Sequence, residues 1–459
     1  MFIGREREIQ ELNTLYESQK FEMAVVYGRR YVGKTSIISE FIKDKEAIYF
    51  AGFETNEKMN LNNLCRCIVA YKPEIEEYIT FSNYEMALKY IFNIAKEKRV
   101  VFVIDNYSCV DKSVKGFNAM LKSLIDKYKA ESKLFLIICD SSISYVENNI
   151  TDSKSPLRKC ISASYKVQPL GFVESCDYLE DYSMVDKAVA YGITGGVPQY
   201  LRLIDDDLSI DANIKRLYLN SSSVLREELE NALRQEVREP GVYNAIITAV
   251  ATGASKLSQI AEAVGESTSA CAIYIKNLIA FGIVKKEMPL GDTSSRKTIY
   301  KMADNALYFW YRFIPDNMSL ISVGKTDVVY NRIKADIADY MGDVFRDICK
   351  QFIERLLAEG KIPVKFTHIG RWWGMDVATK EKQEIDIVAT DNKDGILFCE
   401  CKWTDERVST EVLEKLIQKS EVFEYKKKYY YIFSKNGFTK ECAEKAKRMS
   451  NVVLITYKG

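Results

Sequence analysis

Histidine is nearly missing, with one residue, His368, in a chain of 459. That excludes a histidine-rich metal site and leaves little room for imidazole acid–base catalysis. An excess of one charge is lacking too, since 65 Lys and Arg face 64 Asp and Glu. No global basic field points to nucleic acid, so any such partner must be met by a local patch. No apolar run approaches the length of a membrane span, and MFIGREREIQEL carries charges where a signal peptide has its apolar stretch. A cytoplasmic chain with no membrane partner is therefore expected. The eleven cysteines are odd in number and form no C-x-x-C knuckles. They fit neither a disulfide framework nor structural zinc, and read as reduced, mostly buried thiols.

What remains is a globular composition, 47% apolar and 28% charged, on a chain too long for one core. The first part alternates β-rich runs with helical stretches (MAVVYG, AIYFAGF, VVFVID, LFLIICDSS), the rhythm of a parallel sheet covered by helices. We expect this α/β core over 1–172 and a helical lid over 173–236, broken by Gly195-Gly196-Val197-Pro198. From Pro240-Gly241, a helix from Val242, a short helix Leu257–Val264 and a helix Ser269–Phe281 precede the strands IVKKEM and TIYKMA. That is winged helix-turn-helix order, assigned with its linker to 237–325. A long helix from Thr326 through Glu359 then leads into EIDIVA, GILFCECKW, KYYYIFS and NVVLITY, a second α/β domain over 326–459.

Gly28-Arg29-Arg30-Tyr31-Val32-Gly33-Lys34-Thr35 matches G-x-x-x-x-G-K-S/T between a strand, Met23–Tyr27, and a helix. A chance glycine turn is the bland alternative, but the strand–loop–helix context is that of an ATP site. Backbone N–H groups and the helix N-terminus face the phosphates, Lys34 bridges the β- and γ-phosphates as an exposed loop lysine, and Thr35 ligates magnesium. Asp105, ending VVFVID, stands where a buried strand emerges and is placed to hold the magnesium shell. Asn106 follows it; an amide can hydrogen-bond the attacking water but cannot take its proton. ATP binding with slow hydrolysis is expected. Asp140, Ser141 and Ser142, one strand further on, suit either γ-phosphate sensing or a polar strand end.

In the helix Ser269–Phe281 the polar positions are Ser267 just ahead of it, Ser269, Tyr274, Lys276 and Asn277; the wing Gly291–Thr298 carries Arg296 and Lys297. This suits a DNA reader or a packing module. In ILFCECKW, alternation puts Glu400 and Lys402 on one strand face, and the turn Thr390–Gly395 can bring Asp386 beside them. The two carboxylates, with Lys402, suit one Mg2+ or Mn2+ ion, while a cross-strand ion pair is the structural alternative. His368, Arg371, Trp372 and Trp373, just before this hairpin, suit base stacking or packing on the sheet.

FIGREREI, GRRYVGKTS, VVFVID, GGVPQYL, YKMADNALYFWYRF and RWWG…EIDIVA…ILFCECKW, in that order, resemble the archaeal-type P-loop ATPases of the AAA+/STAND neighbourhood. These carry a C-terminal PD-(D/E)XK nuclease-like, restriction-endonuclease-like domain. The resemblance implies nucleotide contact by Gly4 and Arg5 near the adenine, by the P-loop through Ser36, and by the lid from Pro198. It also implies that Asp386, Glu400 and Lys402 match the nuclease motif. Three departures bear on turnover and cleavage. Asn106 replaces the usual glutamate, Arg158 or Lys159 stands near the place of the usual trans-acting arginine, and Arg346 replaces a helix glutamate. The expected protein is an ATP-binding, slowly hydrolysing regulatory ATPase whose nucleotide state controls the winged helix and a nuclease-like domain acting on DNA or RNA. Its expected partners are ATP, nucleic acid and further copies of itself. The alternatives are a non-catalytic switch whose C-terminal domain only binds nucleic acid or a protein, and a plain ATPase motor.

Overall fold

The structure is a computed structural model describing residues 2–71, 80–234, 236–237, 239–292, 294–363, 365–375, 381–391 and 393–457. Within the expected wing and hairpin turn, Thr293 and Asn392 lie outside the described residues. The chain forms two compact units, Met1–Leu170 with Val197–Gln199, and Gly171–Gly196 with Tyr200–Gly459.

The first unit is built on β1 (Glu22–Tyr27), β2 (Ala47–Ala51), β3 (Val100–Asp105), β4 (Leu134–Asp140) and β5 (Ala163–Lys166). They form one sheet in the order β2-β3-β4-β1-β5, with every neighbouring pair parallel. Continuous Val/Ile/Phe/Leu runs suit β1, β3 and β4 because a parallel sheet is covered on both faces. Alternate residues divide between two cores. Ala24, Val26, Val101 and Val103 meet Ile37, Ile38 and Phe41 of the helix Lys34–Ile42 on one side. Met23, Val25, Phe102 and Ile104 meet Leu88, Ile91, Phe92 and Leu121 on the other. Strand β5 escaped sequence reading because its four residues, Ala-Ser-Tyr-Lys, are a half-exposed edge with no apolar run. This α/β arrangement with a parallel central sheet is that of a P-loop NTPase.

In the second unit the helices Gly241–Ala251, Leu257–Val264 and Thr268–Ala280 precede an antiparallel pair, β6 (Val284–Glu287) and β7 (Ile299–Met302). The helix Thr326–Ala358 runs for 33 residues. It is followed by β8 (His368–Met375), β9 (Lys382–Thr390), β10 (Gly395–Lys402), β11 (Lys427–Ser434) and β12 (Val452–Thr456), ordered β12-β11-β10-β9-β8. The β8–β9–β10 pairs are antiparallel and the β10–β11–β12 pairs parallel. His368, Arg371, Trp372 and Trp373 therefore belong to the sheet itself, on edge strand β8, whose register with β9 shifts between Gly370 and Trp372 because β9 carries one extra residue there. Trp372 packs edge-on against Phe423 at 5.1 Å, as the packing alternative requires. Among the described residues no helix is long and apolar enough to cross a membrane, and all eleven cysteines are free thiols.

Candidate nucleotide site and carboxylate centre

The loop leaving β1 is shaped by its glycines. Gly28 has φ +151°, and a Cβ there would stand 2.4 Å from the Val167 carbonyl oxygen. Gly33 has φ +98° and starts the helix Lys34–Ile42. Both conformations favour glycine. Tyr31 also takes a positive φ, of 67°. Lys34 is buried, 6% exposed, which corrects the expectation of an exposed loop lysine. Its Nζ donates to the carbonyls of Gly28 at 2.9 Å and Arg29 at 2.7 Å, and burial pulls its pKa below the usual lysine range. Thr35 and Ser36 are exposed on the first helical turn, with Arg30 and Tyr31 exposed before them, Arg29 half-buried and Val32 in the core.

Arg5, in the left-handed region at φ 75° just after Gly4, turns its guanidinium onto the Val32 carbonyl at 3.1 Å and the Gln168 carbonyl, and pairs with Glu8. Its hydrogen bonds brace the phosphate-type loop. Pro198 Cγ lies 3.8 Å from where a Gly33 Cβ would be, so Pro198 stands against this loop.

Asp105 at the end of β3 accepts from the Tyr49 hydroxyl and, at 2.8 Å, from the Asn106 N–H. The Thr35 hydroxyl is in hydrogen-bond reach of Tyr49, whose own pKa is driven far up by burial and the Asp105 charge. Thr35, Tyr49 and Asp105 thus form one cluster beside Lys34. Tyr49 went unread in the sequence; the signal was a hydroxyl in the otherwise apolar run AIYFA. Asn106 is left-handed, φ 50° and ψ 45°, and its amide donates to the Gly52 carbonyl at 3.0 Å. Asp140 is 2% exposed, and its two oxygens accept from the N–H groups of Ser108 and Ser142. Its carboxylate is consumed tying down two loops, as a polar strand end would be. Arg158 and Lys159 lie exposed on a short 3-10 turn. Lys34, Thr35 and Asp105 are the groups that could hold phosphates and a magnesium ion, and a hydroxyl with a carboxylate is the oxygen set that magnesium prefers.

In the second unit the β9–β10 ladder ends at Ile387 and Cys399, and Asp386 and Glu400 are the next residue of each strand, close enough for the Asp386 charge to act on Glu400. Arg346, from the helix Thr326–Ala358, donates through Nε to Asp386 Oδ1 at 2.7 Å and through Nη1 to Asp343 at 2.5 Å. The other Asp386 oxygen accepts from the Cys401 N–H at 2.9 Å. Glu400 Oε1 takes Lys402 at 2.9 Å and Lys419 at 3.4 Å, while Oε2 is buried with no hydrogen-bond partner among the described residues. Burial pushes Asp386 up, but Arg346 and the Cys401 N–H outweigh it and hold the carboxyl below its usual range. Glu400 goes the other way, raised by burial and then by Asp386. Among the described residues no group of three or more His, Cys, Asp and Glu is placed to hold a metal.

Asp343, Arg346 and Asp386 of this centre line a cleft of about 1240 Å³ that also takes residues from β6, β7 and β8. Asn277 is half-buried and donates to the Tyr243 hydroxyl at 2.7 Å, and Tyr274 packs edge-on against the same ring at 4.9 Å. Lys276 stays exposed. In the wing, Lys297 pairs with Asp292 at 2.8 Å.

Residues 2–204 match the family described as an ATPase domain predominantly from Archaea, and residues 310–416 match archaeal and bacterial proteins of unknown function. The uncharacterized protein MJECL04 of Methanocaldococcus jannaschii is 31% identical over 449 residues, 96% of this chain and 97% of that one. A second protein of that organism, the uncharacterized ATP-binding protein MJ0423, is 37% identical over 46 residues, 10% of this chain and 78% of its own. Among solved structures, the Walker-type ATPase PABY2304 of Pyrococcus abyssi superposes with a TM-score of 0.52 at 19% identity, covering 68% of this chain and 96% of its own, a likeness of fold. The chain belongs to the family of the full-length Methanocaldococcus relative, and it is an ATP-binding ATPase of the archaeal P-loop type.

Proposed function

We propose that the protein is an ATP-dependent switch in which nucleotide bound at Lys34, Thr35 and Asp105 controls a nucleic-acid contact made by the second unit. Bound magnesium would draw charge from the phosphate oxygens. The chain's own part is to position it. Lys34 exchanges two loop carbonyls for phosphate oxygens, Thr35 and Asp105 offer oxygen ligands, and Tyr49 fixes the Asp105 carboxylate. Hydrolysis is slow, because the Asn106 amide takes no proton and is engaged with Gly52. The segment beginning at Pro198 reports the loop's state, the three helices with β6 and β7 serve as a winged helix, and the restriction-endonuclease-like C-terminal domain holds nucleic acid.

The observation that carries the nucleic-acid part is the cleft. Its lining includes Lys256, Lys286, Arg296 and Lys382, none of which has an ion pair among the described residues, and the Trp373 ring beneath Arg371. Cations that no local carboxylate neutralises are available to phosphates. Anisotropy titrations of a labelled oligonucleotide test this. Lys286→Ala and Arg296→Ala should each weaken binding at every sequence and reduce the slope of log affinity against log salt by about 1. Curves matching the parent at all salt concentrations would remove nucleic acid from the proposal.

A further inference from the structure

We propose that the Arg346 guanidinium stands in for the divalent cation at the Asp386–Glu400 centre, so that this domain holds its ligand without a metal of its own. Two neighbouring carboxylates at the ends of the β9–β10 ladder, Asp386 and Glu400 being 8% and 7% exposed, cannot both stay ionised without positive charge between or beside them. A metal ion is one source of that charge. Here the chain supplies it from its own side chains.

The bonding leaves a metal little to hold. Both Asp386 oxygens are in use, one on Arg346 Nε and the other on the Cys401 N–H. Arg346 is gripped from its far side by Asp343, which also takes Lys301 of β7 at 3.1 Å. Glu400 Oε1 is shared by Lys402 and Lys419. Three carboxylates thus meet four cations, Lys301, Arg346, Lys402 and Lys419, and a dication would enter a cluster that is already positive. One oxygen, Glu400 Oε2, has no hydrogen-bond partner among the described residues. A single buried oxygen does not make the near-octahedral shell magnesium demands. Nor does Arg346 vacate by losing its proton, because a guanidinium stays charged throughout the working pH range. The residue also sits where exchange would matter, since Arg346, Asp343 and Asp386 all line the cleft.

The inference goes beyond the nucleic-acid reading and is read out on metal alone. Nucleotide-free, full-length protein is titrated with Mn2+ while the free ion is followed by electron paramagnetic resonance. The parent and Glu400→Gln should bind Mn2+ equally. Arg346→Glu, which trades the resident cation for a third carboxylate, should gain one site per chain, bound about tenfold or more tighter than anything in the parent. Adding Asp386→Asn should abolish that gain. Melting curves and ATP binding on the same samples check the fold, and Arg346→Gln, of similar reach and uncharged, replaces Arg346→Glu if the latter does not fold. Parent Mn2+ binding that is lost in Glu400→Gln overturns the proposal without any change at Arg346. So does a folded Arg346 variant that binds no more Mn2+ than the parent. Anisotropy on the same proteins keeps a failure of the cleft reading separate from a failure of this one.

Discussion

Replacing Asn106 with glutamate restores the carboxylate that many ATPases place after the magnesium aspartate, and the structure sets both what that gains and what it loses. Asn106 sits in the left-handed region, which asparagine tolerates and glutamate does not, a difference of about 1 kcal/mol. Its amide bond to the Gly52 carbonyl is worth about 1 kcal/mol more. Asn106→Glu should therefore destabilise the first unit by about 2 kcal/mol, lowering its melting temperature by about 4–8 °C for a unit of this size. Asn106→Gly suits the same backbone conformation and loses only the amide bond, so it should fall about half as far. ATP affinity should hold, since Lys34 and Thr35 are untouched. Turnover should rise, because a positioned general base is worth about 100-fold or more. Single-turnover phosphate release and scanning calorimetry on the three proteins read both effects. Unchanged turnover at full ATP affinity would refute the argument that a missing carboxylate limits hydrolysis. A melting temperature that does not move would refute the strained-asparagine account.

Further outcomes follow from other contacts. Gly28→Ala places a Cβ 2.4 Å from the Val167 carbonyl at a φ of +151° and should cost about 3 kcal/mol, read by urea unfolding, whereas Gly116→Ala, with open space around it, should cost less. Asp343 and Asp386 both have their pKa held below the ordinary aspartate range, burial pushing each up but Arg346 and, for Asp343, Lys301 outweighing it. Their stabilisation is present above the unfolded pKa and lost as pH falls through the folded values, so urea midpoints should drop below about pH 4. Glu400 has the opposite sign, its folded pKa being raised, so its contribution is lost as pH rises through that value.

The parts legible in the sequence were those whose chemistry is contiguous. Gly28 to Thr35 announces a phosphate loop because strand, glycines and helix start follow one another, and Asp105 announces itself by ending an apolar run. Alternation alone put Glu400 and Lys402 on one face, and their 2.9 Å contact follows from that. What stayed hidden depends on partners distant in the chain. Tyr49 reaches Asp105 across 56 positions and Arg346 reaches Asp386 across 40, distances at which no periodicity speaks. Lys34 looked exposed because glycines surround it, but the loop folds its own carbonyls over the ammonium. Asn277 looked like a base reader until Tyr243, 34 residues earlier, took its amide. Strands β5 and β8 lie at sheet edges, where one partner and partial exposure dilute the hydrophobic signal.

The central claim is that ATP is held through Lys34 in the loop following β1. Isothermal titration of ATP with magnesium into the parent and Lys34→Ala proteins, each checked by its melting curve, tests it most directly. Loss of a charged hydrogen bond to phosphate is worth about 2 kcal/mol, so Lys34→Ala should bind ATP about 30-fold more weakly or not measurably. A folded Lys34→Ala protein that binds ATP as tightly as the parent would contradict the account.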